Sequence, residues 1–418
     1  MRWNGAAERP IARCCREGYR VTTEAESAET LADRRKVEDG YALVNAMWKT
    51  QGATAVLRYV HHLPHGRALP LGLDLAEIDR VIASVDSFYR GGYRDWPTQW
   101  FKAGDQYLER GHNALADGHR QTAGQMLFSA AACYHLAGYM HHDIGRLLPE
   151  TKRSMLRAVE IYWEAAPLLS PTPVMAEIPF DNTLLRPFLR LPRDVKRPPC
   201  VILIGGANSN MINMHAVSKY YLDRGMATIA LDGPGQGEFR ARTGRAMRVK
   251  DYDRALAAVA DWLQQDDRVD GSRIGIYGRA TGALIAMHAA ALDKRFKAVV
   301  AHPAAFNFAN FFERAFLHTL VSHRLEMCSF LGAKTLDEGT RLVHEQLTLE
   351  DVADLVDFPI LSICSADDET MPTTESAILK QRAKGPVEVV IFPGKGHGGP
   401  SRLSLPLEAD WMRSQLGA

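Results

Sequence analysis

The second half of the chain alternates short apolar strands with amphipathic helices, which predicts an α/β protein with a mostly parallel sheet covered on both faces. Two further observations set the rest of the architecture. Residues 28–170 carry a helical period throughout, and Ile274-Gly-Ile-Tyr-Gly-Arg-Ala-Thr-Gly-Ala-Leu-Ile-Ala-Met287 reads as a buried strand that turns through flanking glycines straight into an apolar helix.

A chain of 418 residues is long for one core and comfortable for two. Its 50 basic and 49 acidic residues leave a formal net charge of +1, so the composition gives no electrostatic footprint for nucleic acid or an anionic membrane. The six cysteines (Cys14, Cys15, Cys133, Cys200, Cys328, Cys364) are scattered, and Cys200 and Cys364 fall in apolar runs. A reduced, cytoplasmic chain is the expectation. Residues 1–27 read as a flexible tail: they lack a signal peptide's apolar core, and Glu8, Glu17, Glu24 and Glu26 make them too acidic for a transit peptide. No apolar run reaches about 18 residues, so no membrane span is expected.

Residues 28–170 form the expected helical cap domain. Apolar residues recur every three or four positions, as in Met126, Leu127, Ala130, Tyr134 and Ala137, and again in Met155, Leu156, Val159, Tyr162 and Trp163. Gly124, Ala130 to Ala132 and Gly138 let neighbouring helix axes come close. Two histidine clusters, His61-His62-Leu-Pro-His65 and His141-His142-Asp143, lack metal-ligand spacing, and solvated histidines at helix ends are the simpler reading. No metal site is expected.

Residues 171–418 form the expected α/β domain. It opens with a strand pair, Val174 to Ile178 and Leu184 to Leu191, followed by the proline-rich connector Pro192 to Pro199. Strands are then expected at Val201 to Ile204, Met226 to Leu231, Arg273 to Tyr277, Lys297 to Ala301, Pro359 to Cys364 and Val387 to Phe392, with helices such as Asp251 to Gln265 between them. Residues 307–356 break this alternation with helical patterning alone. They read as a lid inserted over the carboxyl edge of the sheet, where α/β proteins bind ligands.

Four pieces of this half carry chemistry. The glycines of Gly278-Arg-Ala-Thr-Gly282 remove side chains where strand and helix nearly collide, as in a nucleophile elbow, which places the central residue, Ala280, in a strained and exposed position. Its methyl group cannot attack a carbonyl. After the strand ending at Cys364 comes Ser365-Ala-Asp-Asp-Glu-Thr-Met-Pro372, which puts Asp368, with Asp367 in reserve, at a strand tip. After the strand ending at Phe392 comes Pro-Gly-Lys-Gly-His397, a histidine in a pliant loop. A carboxylate there would fix the imidazole tautomer and leave the other nitrogen to take a proton. Singly these are a turn cap and a surface histidine; in this order, each after a strand, they point to catalysis. The Gly205-Gly206-Ala207-Asn208 turn offers an oxyanion hole, with the backbone N–H groups of Ala207 and Thr281 as donors. Asp232-Gly-Pro-Gly-Gln-Gly-Glu238 lacks both the spacing and the Lys-Ser/Thr of a phosphate loop, so no nucleotide is expected.

The Asp232 to Glu238 run, with the Gly-Gly turn before it and the Gly278 to Gly282 elbow after it, resembles the α/β-hydrolase family that contains 2,6-dihydroxypseudooxynicotine hydrolase, fungal hydrolases that shorten a polyketide chain, and FrsA-like esterases. The resemblance covers roughly residues 30 to 415. It implies an α/β-hydrolase fold with an N-terminal helical cap, and cofactor-free hydrolysis of an ester, or of a carbon-carbon bond beside a ketone, by Ser, Asp and His. Carried over, the acid is Asp368, the base His397, the oxyanion donors Ala207 and Thr281, and the nucleophile position Ala280. Ala280 departs from the family, as does Ala283, where a second glycine is usual.

Two accounts of Ala280 follow. Either it is a Ser-to-Ala replacement in an ordinary hydrolase, or it is natural and the chain is a lyase, cyclase or dehydratase using a His-Asp general base, or a ligand-binding protein. Arg279 is a candidate for an anionic substrate group or a salt bridge anchoring the turn. Glu313 and His318 are candidate substrate contacts, with a solvated helix face the weightier reading for each. The expected partner is a small molecule of the size of an aromatic ketone or polyketide fragment, with no cofactor, nucleic acid or membrane; a homodimer is one arrangement the sequence admits.

Overall fold

The computed structural model describes residues 28–52, 55–56, 68–85, 95–139, 142–310, 322–368, 370–394, 396–397 and 401–418. Ten strands lie among them: β1 Val174–Met175, β2 Ile178–Phe180, β3 Thr183–Leu185, β4 Phe188–Arg190, β5 Pro199–Ile204, β6 Ala227–Leu231, β7 Asp270–Arg279, β8 Phe296–His302, β9 Ile360–Ser365 and β10 Val387–Phe392. Eight build one sheet in the order β1-β4-β6-β5-β7-β8-β9-β10. From β6 to β10 all neighbours pair in parallel, while β4 joins β6, and β1 joins β4, antiparallel. Every residue of β5, β6 and β9 is buried, because helices cover both faces. That burial is why these strands read as unbroken apolar runs instead of an alternation.

The opening strand pair differs from the sequence expectation. The chain folds here into four short strands: β2 and β3 form a separate hairpin around Asp181, whose φ is +48°, while β1 and β4 pair beside it and only β4 reaches β6. Proline explains the division. Pro187 has no N–H, so between the hairpin and β4 it contributes only its carbonyl, which accepts from the Ala176 amide at 2.9 Å.

Thirteen helices accompany the strands among the described residues. The N-terminal part holds α1 Ala28–Gln51, α2 Leu75–Ala83, α3 Asp95–Ala116, α4 Arg120–Gly138 and α5 Pro149–Ala165. Glycines set how closely the last three pack. A Cβ on Gly104 would lie 2.7 Å from the Tyr134 ring, and one on Gly138 would lie 2.5 Å from the Ser154 hydroxyl. Tyr162 carries the bundle onto the sheet: its ring lies 5.0 Å from that of Phe188 on β4, and its hydroxyl is 2.9 Å from His215 Nδ1. The buried residues of the bundle thereby continue into one face of the sheet, beneath α6 Met211–Leu222 and α13 Ser401–Leu416.

A second apolar cluster fills the other face, under α8 Val249–Gln265 and α9 Thr281–Leu292. It continues into α10 Ser322–Leu331 and α11 Leu336–Gln346, which lie between β8 and β9. The Asn307 and Thr348 bridge closes the base of that insertion. Met247, beyond α7 Gly237–Thr243, donates its amide to the Phe330 carbonyl and so ties α10 to the chain entering α8. The remaining helix, α12 Thr373–Arg382, follows β9. No helix among the described residues is long and apolar enough to cross a membrane.

One buried histidine–carboxylate contact joins the last helix to the sheet. His302 at the end of β8 lies 2.8 Å from Glu408 on α13, both side chains essentially inaccessible to solvent. Removing one member leaves the other's polar atoms buried without that neighbour. Glu408→Ala is expected to lower unfolding free energy by about 1–3 kcal/mol, which a urea titration measures.

Candidate active site

The turn between β7 and α9 has the backbone that its glycines foretell. Ala280 sits at φ 52° and ψ −121°, a conformation L-residues seldom adopt. A Cβ on Gly278 would fall 2.3 Å from the Gly282 carbonyl oxygen, and one on Gly282 would fall 2.4 Å from that of Gly205. Only glycine fits either place. The Ala280 amide donates to the His302 carbonyl (3.1 Å), and the Ala280 carbonyl accepts from the Ala283 amide (2.8 Å), so the strained residue is held at both ends. Its methyl is half-buried at the margin of the apolar cluster, as is Ala207.

The two carboxylates after β9 both grip the histidine loop. Asp368 Oδ2 lies 3.0 Å from His397 Nδ1, and Asp368 Oδ1 accepts the amides of Thr370 and Met371, each at 2.9 Å. Burial acts to raise the Asp368 pKa, but the facing imidazole and those amides outweigh it and hold the carboxyl below its ordinary value. The carboxylate form therefore faces Nδ1 of His397. Asp367, the reserve acid, instead accepts the Gly396 amide at 2.8 Å and steadies the loop one residue before the histidine.

Beside the elbow stands the Gly-Gly turn. A Cβ on Gly206 would lie 3.3 Å from the Ala280 methyl and 3.8 Å from the Thr281 hydroxyl, so bare backbone borders the nucleophile position. The Thr281 hydroxyl is buried and has no hydrogen-bond partner among the described residues. Arg279 lies close enough to Tyr277 to oppose the upward shift that burial imposes on the Tyr277 phenol. Glu313 and His318 lie outside the described residues.

Sequence reasoning treated the glycine-rich loop after β6 only as a signature, and missed what it does. Gln236 is buried and donates its amide nitrogen to the carbonyls of Gly205 (2.8 Å) and Gly206 (2.9 Å). Its own carbonyl oxygen accepts a short hydrogen bond from the Tyr252 hydroxyl, which in turn accepts the Gly233 amide at 3.1 Å. Asp232 closes the loop by accepting the amides of Met211 (2.6 Å) and Glu238 (3.0 Å). Gly237, at φ 39°, must be glycine, since a Cβ would land 1.9 Å from an Asp232 oxygen. A buried glutamine inside a glycine run, followed sixteen residues on by a tyrosine on the core face of a helix, was the available signal.

Asp232 also titrates unusually. Burial pushes its carboxyl up to about 7. Because the unfolded chain releases that proton near pH 4, stability is fully present below about pH 4 and is lost as pH rises toward 7. Asp232→Asn is expected to flatten the fall in melting temperature between those limits, as calorimetry across that pH range will show.

The sheet order, with helices on both faces, agrees with comparisons to known proteins. A profile of the prolyl oligopeptidase family matches residues 213–417. A crystal structure of 2,6-dihydroxy-pseudo-oxynicotine hydrolase superposes with a TM-score of 0.72 at 25% identity, covering 84% of this chain and 95% of that one. The chain has the α/β-hydrolase fold. Among its sequence relatives, 2,6-dihydropseudooxynicotine hydrolase of Paenarthrobacter nicotinovorans is 28% identical over 77% of this chain and 85% of its own. Hydrolyase poxO of Penicillium oxalicum is 31% identical over 54% of this chain and 55% of its own.

Proposed function

We propose that this site belongs to a cofactor-independent hydrolase that cleaves a carbon-carbon bond beside a ketone, or an ester, in an aromatic or polyketide-like small molecule, with alanine standing in this chain where the nucleophile belongs. The observation that carries the reading is Ala280 itself. Its φ of +52° is a strained conformation, of order 1–3 kcal/mol, that serves no purpose for a methyl group and serves a nucleophile well. Two further contacts support the reading: Asp368 faces His397 Nδ1, and the Gly206 backbone borders the Ala280 methyl. In the complete reaction a serine at 280 would pass its proton to His397 Nε2 as it attacks the carbonyl, the amides of Ala207 and Thr281 would receive the oxyanion, and the protonated imidazole would give its proton to the leaving group; a water, deprotonated by the same nitrogen, would then cleave the acyl–serine bond, release the acid and return the proton to the serine oxygen.

A second reading has its own support. Without the hydroxyl, His397 held by Asp368 remains a general base, able to draw a proton from an acidic carbon and so to run an elimination or cyclisation; the relative in Penicillium oxalicum bears the name hydrolyase. The two readings part on one experiment, turnover of an activated acyl ester by the Ala280→Ser variant and by Ala280→Ser with His397→Ala. Hydrolysis requires gain in the first and loss in the second. No gain, with the fold intact by circular dichroism, leaves the base-only chemistry or a ligand-binding protein.

A further inference from the structure

Arg240, on α7, is out of keeping with the other cations of the fold. It is 6% exposed, and its only side-chain hydrogen bond among the described residues runs from one terminal nitrogen to the Ser329 hydroxyl on α10, at 3.1 Å. Its neighbours are conventional: Arg186 and Arg242 each lie 3.7 Å from Glu238, and Arg245 binds Asp181 at 2.8 Å. Burial alone pushes the Arg240 guanidinium down to about 10, with no carboxylate acting to offset it. Arginine remains charged even so, and a buried charge without a counter-ion is costly. A guanidinium presents five donors in a planar fork, most of which here find no protein acceptor among the described residues.

Its place in the fold says what the fork is for. Arg240 donates its amide to the carbonyl of Gln236, the residue that precedes α7 and caps its first turn. The Gln236 side chain holds the Gly205 and Gly206 carbonyls. On α10, Ser329 shares a face with Glu326, one turn earlier, and Glu326 accepts a hydrogen bond from Asn208 at 3.1 Å. The residue capping α7 and a residue of α10 therefore both touch the 205–208 turn beside Ala280.

We propose that Arg240 is the anion-recognising residue of this site, and that the ligand is a small ketone-bearing molecule carrying a carboxylate, which the guanidinium fork neutralises at the junction of α7 and α10. The inference rests on the reading of the 205–208 turn and Ala280 as a small-molecule site, yet it concerns binding and needs no turnover. The chain with alanine at 280 is suited to the test, since it can hold an acyl compound without acylation.

The probes are 4-oxo-4-phenylbutanoate and its neutral amide, titrated calorimetrically into the full chain, Arg240→Met and Arg240→Lys. The carboxylate is expected to bind roughly 10- to 100-fold more tightly than the amide, as charge-assisted hydrogen bonds imply. Arg240→Met should abolish that preference, and Arg240→Lys should keep part of it. Without ligand, Arg240→Met should melt higher by about 2–4 °C, because a buried cation without a counter-ion is removed; a structural arginine would instead give a lower melting temperature. A lower melting temperature in Arg240→Met, a preference that survives in it, or no preference in the unaltered chain overturns the proposal. Preference for the carboxylate together with an inert Ala280→Ser variant would sink the hydrolase reading and leave this one standing.

Discussion

Ala280→Ser is expected to raise the rate of 4-nitrophenyl acetate hydrolysis by about 10³-fold or more over the unaltered chain, with a burst of nitrophenolate equal to the enzyme added. The magnitude follows from how triads work: removing the nucleophile alone costs about as much as removing the whole triad, so restoring it to an intact acid, base and oxyanion hole recovers nearly the full effect. Little backbone adjustment stands in the way. Ala280 already occupies φ 52° and ψ −121°, and serine adds one oxygen to the existing methyl. Adding His397→Ala should erase the gain, whereas Asp368→Asn should leave a small part of it, since an amide can still contact Nδ1 but favours the wrong tautomer. A burst absent from a folded Ala280→Ser variant, judged by an unchanged melting profile, would show that the hydroxyl does not reach attack geometry.

Much of this site was legible before any coordinates. The elbow was readable because Gly278 and Gly282 answer to sterics that leave one solution: each would drive a Cβ into a backbone carbonyl. Asp368 and His397 were readable because each follows an apolar strand in an order that parallel topology turns into spatial neighbourhood along one sheet edge. The β1 to β4 region was less so. Apolar residues spaced around Asp181 and Asn182 suggest a simple hairpin, and only the ladder shows that Pro187 ends one pairing and that β4 then joins β6. Gln236, Tyr252 and Arg240 were hardest to see. Their significance lies in partners 16 to 89 positions away, and neither periodicity nor a linear motif reports which buried polar atom meets which carbonyl. A buried polar group must find partners or carry a cost, so its presence in a sequence marks importance without indicating a role.

Gln236→Leu in the Ala280→Ser background is expected to lower kcat by about 10²- to 10³-fold, the range lost when an oxyanion donor is disabled, with KM changed little. The reasoning runs through peptide planarity. A trans peptide points its carbonyl and its N–H in opposite directions. By holding the carbonyls of Gly205 and Gly206, the Gln236 side chain therefore turns the amides of Gly206 and Ala207 away from α7. Leucine fills similar space but donates nothing. The Gly206 carbonyl keeps the Ser209 amide at 3.0 Å, so the turn persists while its orientation loosens. Such loosening is felt when negative charge develops on the substrate oxygen more than when neutral substrate binds, which is why kcat should bear the loss. Tyr252→Phe removes only the hydroxyl that steadies Gln236, and should produce a smaller fall in the same direction. Steady-state kinetics on both variants, with melting temperatures to confirm folding, decide the matter: an unchanged kcat in Gln236→Leu would mean that the oxyanion hole forms without the glycine-loop brace.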